Sequence, residues 1–255
     1  MSALYTISVL FAVAVFKSQC QSSCDLNSCR LQVVCDSDGT GHTRNSEKCP
    51  QTAYNFPGGK QTTDFIRVKS PIPQMREFSI CAWMTPKSGS NVKGAFVSYS
   101  TPRMDNAFLV FFEDGNKLTL WYNQVNSGDT TDFRMTTRTH FCISLETFLG
   151  TAKIYVNGAL FQTRTFANQR NEIEGGGAFI IGQEQDSYVG GFDGSQSFAG
   201  VIENFMMWNR ALSPEEITTL YQGRCLCPKY HMLHLALHEI QVYGKVTAQE
   251  VDGCH

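Results

Sequence analysis

Apolar and polar positions alternate in short blocks along most of this chain, with Gly, Asn, Asp and Pro between the blocks. Phe78–Met84, Ala107–Glu113, Lys117–Asn123 and Thr139–Thr147 are β-branched or aromatic runs of strand length. Runs of that composition bounded by turn formers predict β-strands. Thr151–Phe161 reads as a hairpin, because Asn157-Gly158 supplies the two positive-φ residues of a type I′ turn. Ala178–Ile181 and Phe198–Trp208 are further strand-like runs, and Leu233–Leu237 and Ile240–Tyr243 are the last candidates. Short strands at regular spacing, without alternating helices, predict an all-β chain folded as a two-sheet antiparallel jelly-roll sandwich.

One segment departs from this pattern. Ser213-Pro214-Glu215-Glu216 places Ser at the N-cap, Pro at the first helical position and Glu three residues after the cap, which is a capping box. Ile217, Leu220 and Tyr221 then form an apolar face and Gly223 ends the run. The expectation is one short helix packed on a face of the sandwich.

Composition adds a compartment. At 255 residues the chain holds one large β domain or two small ones, and a net charge of −2 offers no basic stripe for nucleic acid. Leu4–Phe16 is apolar but too short to span a bilayer, which takes about 20 residues. Small and polar residues follow it, so residues 1–20 read as a signal peptide and the protein as secreted and extracellular. No later stretch approaches a membrane span. The 10 cysteines then read as a disulfide framework. Cleavage after Ser18 keeps all of them, whereas cleavage after Cys20 leaves one without a partner in the chain. Residues 21–52 form a Cys-rich extension with too little apolar area for a core, and 53–255 form the globular part. Cys81 and Cys142 each sit inside an apolar run; bonded, they would tie two strands distant in sequence, worth about 4 kcal/mol in the chain-entropy picture. The alternative is two unpaired buried thiols.

The candidate chemistry centres on Gly182–Ser197. This stretch carries Glu184, Asp186 and Asp193 with Gln183, Gln185 and Gln196, is broken by glycines, and is flanked by strands. A loop of hard oxygen donors held at both ends suits calcium, which takes six to eight oxygens at about 2.3–2.6 Å. On composition alone an acidic surface loop with turn glycines is the plainer reading. Asp36-Ser37-Asp38-Gly39 lacks the later ligand positions of an EF-hand. Cys225, Cys227, His231, His234 and His238 are zinc-type ligands, but oxidised cysteines and exposed histidines explain them more simply. No Gly-x-Ser-x-Gly occurs. Glu184-x-Asp186 offers the carboxylate pair of a glycoside hydrolase, yet Tyr188 or Val189 stands where a further Glu belongs. The chain reads as a non-enzyme.

Several separated motifs then agree in order and spacing: Tyr54-Asn55-Phe56-Pro57, Phe78-Ser79-Ile80-Cys81, Tyr99-Ser100-Thr101 with Arg103-Met104-Asp105-Asn106, His140-Phe141-Cys142-Ile143-Ser144, and Gly182–Ser187 with Phe192–Ser197. Together they resemble the pentraxin family over about residues 53–250. The resemblance implies a jelly roll of the concanavalin/laminin-G type, an intersheet Cys81–Cys142 disulfide, a cyclic and usually pentameric homo-oligomer, and two calcium ions per subunit. Carried over by position, the ligands are Asp105, Asn106, Glu184, the backbone carbonyl of Gln185, and Asp186. Asp193 and Gln196 complete the second ion, which shares Glu184 and Asp186. The implied function is that of a pattern-recognition lectin of innate immunity. It binds phosphocholine-like phosphate monoesters or anionic saccharides on cell or microbial surfaces, with Phe111 against the choline methyl groups. An acidic partner for the ammonium is expected in the 123–132 loop, with Asp129 and Asp132 as candidates. Departures from the family pattern are Leu145 and Leu235 in place of Trp, Asp193 in place of Glu, and Val189 in place of Gly. A non-catalytic laminin-G-like adhesion or matrix module is the second reading.

Overall fold

The computed structural model describes residues 51–251 except 88–89, 115, 131, 224–231 and 237, together with the backbone of 32–35 and 41–44. The expected signal peptide, most of the Cys-rich extension, Cys225, Cys227, Cys254 and His231 lie outside the described residues. Strands β1 (Gln32–Cys35) and β2 (Gly41–Arg44) pair with each other. The remaining strands are β3 (Gln51–Phe56), β4 (Ile66–Val68), β5 (Glu77–Pro86), β6 (Gly94–Thr101), β7 (Met104–Glu113), β8 (Lys117–Tyr122) and β9 (Val125–Thr130), then β10 (Thr139–Glu146), β11 (Thr151–Val156), β12 (Ala159–Thr165), β13 (Ala178–Ile181), β14 (Gly200–Trp208), β15 (Leu233–His234), β16 (Ile240–Val242) and β17 (Thr247–Val251).

They form two antiparallel sheets. One runs β12-β11-β10-β5-β14-β3-β17, with β15 also on β14; the other runs β16-β4-β13-β6-β7-β8-β9. Strand alternation explains the core between them. Phe78, Ile80, Ala82 and Met84 of β5 and Phe141, Ile143 and Leu145 of β10 point inward, as do Phe108, Val110 and Phe112 of β7. Rings cross the interface: Phe78 meets Phe108 at 4.8 Å and Phe96 meets Phe141 at 5.7 Å, both edge-on. Each such side chain contributes about 1.5–3 kcal/mol through burial. In β14 an irregularity between Glu203 and Met206, with Asn204 at φ 51°, resets the alternation so that Ile202, Phe205 and Met207 all reach this core.

The expected hairpin is present, with Asn157 at φ 50° and Gly158 at φ 79°. Leu145 and Leu235 fill core positions. Strands β3, β4, β6, β9 and β17 are absent from the sequence expectation: β6 is a fully buried central strand interrupted by Ser98 and Ser100, and β17 is a polar edge strand. His234 is buried at 3 % exposure, contrary to the expectation of exposed histidines, because β15 seats it on β14.

The disulfide joins Cys81 to Cys142 as expected, but it is not intersheet. The two residues face each other in register on β5 and β10, adjacent strands of one sheet, with Cα atoms 4.2 Å apart. Both occupy outward positions, since their neighbours Ile80, Ala82, Phe141 and Ile143 fill the core. The bond therefore lies on the outer face, beneath helix α1 (Pro214–Tyr221), in a cluster with Tyr155, Met206, Trp208, Leu212, Ile217 and Leu220. The capping box forms as expected: Glu216 N donates to Ser213 Oγ at 3.2 Å and Ser213 N to Glu216 Oε2 at 2.8 Å.

Candidate functional site

The acidic loop lies on the opposite side of the sandwich, against the outer face of the second sheet. It leaves β13 at Gly182, whose φ of 87° favours glycine and where a Cβ would sit 2.2 Å from the Phe56 ring. Gln185 then fastens it to the sheet. Its Nε2 donates to Ser98 O (3.0 Å) and Ala178 O (3.1 Å), and its Oε1 accepts from Ser100 Oγ (2.9 Å) and Val189 N (3.2 Å). Gln185 N donates to Ser98 Oγ at 3.1 Å. Ser98, Ser100 and Gln185 are all fully buried, so these bonds satisfy groups that would otherwise be costly to bury. Gln183 Nε2 donates to Gln61 O at 3.2 Å, and at the far end Phe192 packs on Phe65 at 4.7 Å.

Loop 182–197 is not a strand over Glu184–Asp186; a tight turn follows, closed by Ser187 N to Gly190 O (3.2 Å) and Gly190 N to Ser187 O (3.0 Å). Val189, where the family resemblance implies Gly, adopts φ 60° in this turn. The loop keeps a glycine-type conformation with a β-branched residue, which is a strained choice. Asp193 caps a 3-10 turn, Gly194–Gln196, its Oδ1 accepting from Ser195 N at 2.8 Å.

Asp105 and Asn106 open strand β7 rather than lying in a loop. The β8–β9 turn holds them: Gln124 N donates to Asn106 O at 2.9 Å and Gln124 Nε2 to Asp105 Oδ1 at 2.8 Å. Phe111 is half-buried on the same face of β7 as Asp105, between Ala95 and Thr119 in register.

The fold brings four of the expected carboxylates into one electrostatic neighbourhood. Glu184 is 7 % exposed. Burial first, and then the charges of Asp186, Asp105, Asp193 and Glu113, push its carboxyl up to about 7. Burial, Asp105 and Asp193 also raise Asp186. Asp193 is the exception: the Ser195 backbone N–H, foremost, lowers it. No three of these carboxylates converge within 4.8 Å; among the described residues only Cys81, His140 and Cys142 meet that closely, and there both sulfurs belong to the disulfide. Two of the expected amide ligands carry buried acceptors without a hydrogen-bond partner, Asn106 Oδ1 and Gln196 Oε1. Other such atoms, including Asp64 Oδ2 and Gln162 Oε1, belong to no expected ligand. The donor set thus fits a hard cation: carboxylates in one electrostatic neighbourhood, plus buried amide oxygens without a protein donor.

The sequence model of the Pentaxin family (the pentraxins) matches residues 52–249. The chain belongs to the pentraxin family. It is 30 % identical to human C-reactive protein over 223 residues, 86 % of this chain and 94 % of that protein. It is also 30 % identical to human serum amyloid P-component over 167 residues, 64 % of this chain and 73 % of that protein. The crystal structure of a native heptameric SAP-like pentraxin from Limulus polyphemus superposes with a TM-score of 0.69 at 22 % identity, over 80 % of this chain and 97 % of that one.

In this pentraxin the structure adds residues that the sequence reading passed over. Gln124 positions Asp105, but its turn is formed by Asn123 (φ 46°) and Gln124 (φ 64°), without the Gly that marks such turns. Glu113 shares the face of Phe111, accepts from Thr119 Oγ1 at 2.5 Å and adds to the field on Glu184. The expected 123–132 loop is mostly strand β9, in which the backbone of Asp129 pairs with Thr119; Asp132 is exposed at φ 58°.

Proposed function

We propose that this pentraxin is a secreted, calcium-dependent pattern-recognition lectin, non-catalytic, that binds phosphocholine-like phosphate monoesters or anionic saccharides at the acidic face. The observation that supports it most is the pair of orphaned buried acceptors, Asn106 Oδ1 and Gln196 Oε1, beside the carboxylates of Asp105, Glu184, Asp186 and Asp193. Four carboxylates formally balance two Ca²⁺ ions. Asp105, Asn106, Glu184, Gln185 through its carbonyl, and Asp186 form the first set; Asp193 and Gln196 complete the second. Calcium held there supplies open coordination positions for an oxyanion. Phe111 offers a half-buried ring for the methyl groups of a quaternary ammonium.

The protein is expected to be retained on phosphocholine resin in calcium and released by chelator. Retention unchanged in excess EDTA would sink the calcium reading. We further propose a closed ring of five subunits; the mass of the eluted oligomer tests this, and a heptamer, as named for the Limulus pentraxin, would correct the number. Among the described residues no helix is long and apolar enough to cross a membrane.

A further inference from the structure

A cleft of about 300 Å³ opens beside the far end of the acidic loop. Gly59 and Lys60, Lys87 and residues 90–93 before β6, Asp114 and Asn116 after β7, and residues from Gly194 to Ala199 form its walls. Lys60, Lys87 and Lys93 line it, with Glu113 and Asp114 as its carboxylates.

The cationic side of this cleft is only partly neutralised. Lys87 Nζ donates to the Pro57 carbonyl at 3.2 Å, a neutral acceptor. Among the described residues Lys60 has no ion-pair partner, and its charge helps to lower Asp193. Lys93 pairs with Asp114 at 2.6 Å, but the Asp114 side chain is 82 % exposed. An exposed pair of this kind contributes about 0–1 kcal/mol, so a better anion displaces it readily. Glu113 is engaged by Thr119 Oγ1.

The walls are held by backbone contact rather than by loose side chains. A Cβ on Gly194 would lie 2.0 Å from Lys60 O, and one on Gly94 would lie 2.3 Å from Ser197 O. Asn91 Nδ2 donates to Asn116 Oδ1 at 3.0 Å and to Phe133 O at 3.2 Å, which ties the two remaining walls together. The contact of Gly194 with Lys60 also fixes the cleft directly against the Asp193 turn.

We propose that this cleft is an anion subsite, taking a second sulfate or phosphate group of a polyanionic saccharide whose first anionic group sits at the acidic loop. Ammonium groups act as point charges that suit tetrahedral oxyanions without demanding one orientation. The inference rests on the proposed lectin function and, of its two ligand classes, selects anionic saccharides with repeating charges over single phosphate esters.

The test compares wild type with a Lys60→Ala/Lys87→Ala/Lys93→Ala variant and with the matching triple Lys→Arg variant. Two probes are used, phosphocholine resin and a dextran sulfate oligomer in solution. In calcium, the alanine variant should bind dextran sulfate about tenfold more weakly, with a log–log salt slope shallower by about two. Its retention on phosphocholine should stay within about twofold of wild type, and the arginine variant should restore dextran sulfate binding. Wild-type affinity and slope for dextran sulfate in the alanine variant would overturn the subsite, as would an equal loss on both probes. The cleft does not depend on the metal, so lysine-dependent dextran sulfate binding in EDTA would support the subsite even if phosphocholine retention failed and took the calcium reading with it.

Discussion

The two outer faces of the sandwich are built from similar strands, yet they treat polar groups in opposite ways. On the helix-covered face polar atoms find partners nearby: Ser213 and Glu216 cap each other, Arg210 Nη2 bonds Glu216 at 2.5 Å, and Thr218 Oγ1 reaches Gly158 O at 3.1 Å. His140 on that face is pushed down to about 4 by burial and then by Arg138, and so stays neutral. On the loop-covered face like charges are gathered and amide oxygens are left without donors. A fold seeking stability alone would not assemble the second face. Where buried acceptors and carboxylates accumulate without compensation, the missing partner is sought outside the chain.

The first way to break this contrast is to neutralise the loop. Glu184→Gln and Asp186→Asn should each abolish calcium-dependent retention on phosphocholine resin, while thermal unfolding in chelator stays the same or improves. Two retained variants would mean the site is misplaced. The reverse experiment is Ile217→Ala under the helix, expected to cost about 2–5 kcal/mol in denaturant unfolding and to leave retention of the folded fraction untouched.

Acidity separates the faces next. A carboxyl raised above its ordinary value binds its proton more tightly in the folded state. Glu184 therefore favours folding at low pH, and its own contribution to stability in chelator, read as wild type minus Glu184→Gln, should fall as pH rises from about 4.3 through about 7. Calcium affinity should move the other way, rising over the same window as that proton is displaced. Titration calorimetry at pH 6 in buffers of different ionisation enthalpy should show net proton release on calcium binding; none would remove Glu184 from the ligand set. His140 works in the opposite sense: lowered from about 6.5 to about 4, it makes stability rise with pH between those values and adds nothing above about pH 7.

Smaller effects sharpen the picture. Ser213→Ala should cost about 1 kcal/mol through loss of the cap. Val189→Gly should relieve about 1–2 kcal/mol of left-handed strain, offset in part by about 0.5–1 kcal/mol of added chain entropy. Its net gain should be a few tenths to 1 kcal/mol, read as a higher urea midpoint. A loss instead would show that Val189 makes a contact outweighing its backbone cost.

The helix face was legible in the sequence almost residue by residue, because Ser213, Pro214, Glu216 and Gly223 act locally, within one or two turns of chain. The sandwich class was legible for the same reason, through alternation in β5, β7 and β10. The sheet membership of Cys81 and Cys142 was not, since it depends on which way each strand faces once paired. The assembly of the acidic face was readable only through the family resemblance, as Asp105 and Glu184 share no local pattern. Gln124, Glu113 and the anchoring of Gln185 on Ser98 and Ser100 were missed because each is a contact between segments far apart in sequence.

Gln185 carries one further implication. Its side chain joins the loop to β6 and β13, strands at the middle of the second sheet. Anything that binds the folded loop and not the unfolded chain stabilises that sheet by mass action, about 2.7 kcal/mol at a hundredfold excess over Kd. The chelated protein should therefore exchange amide hydrogens faster along β6 and β13 while β5 and β10 stay protected. Calcium concentration would then set not only what the molecule holds but which of its two sheets opens first to a protease.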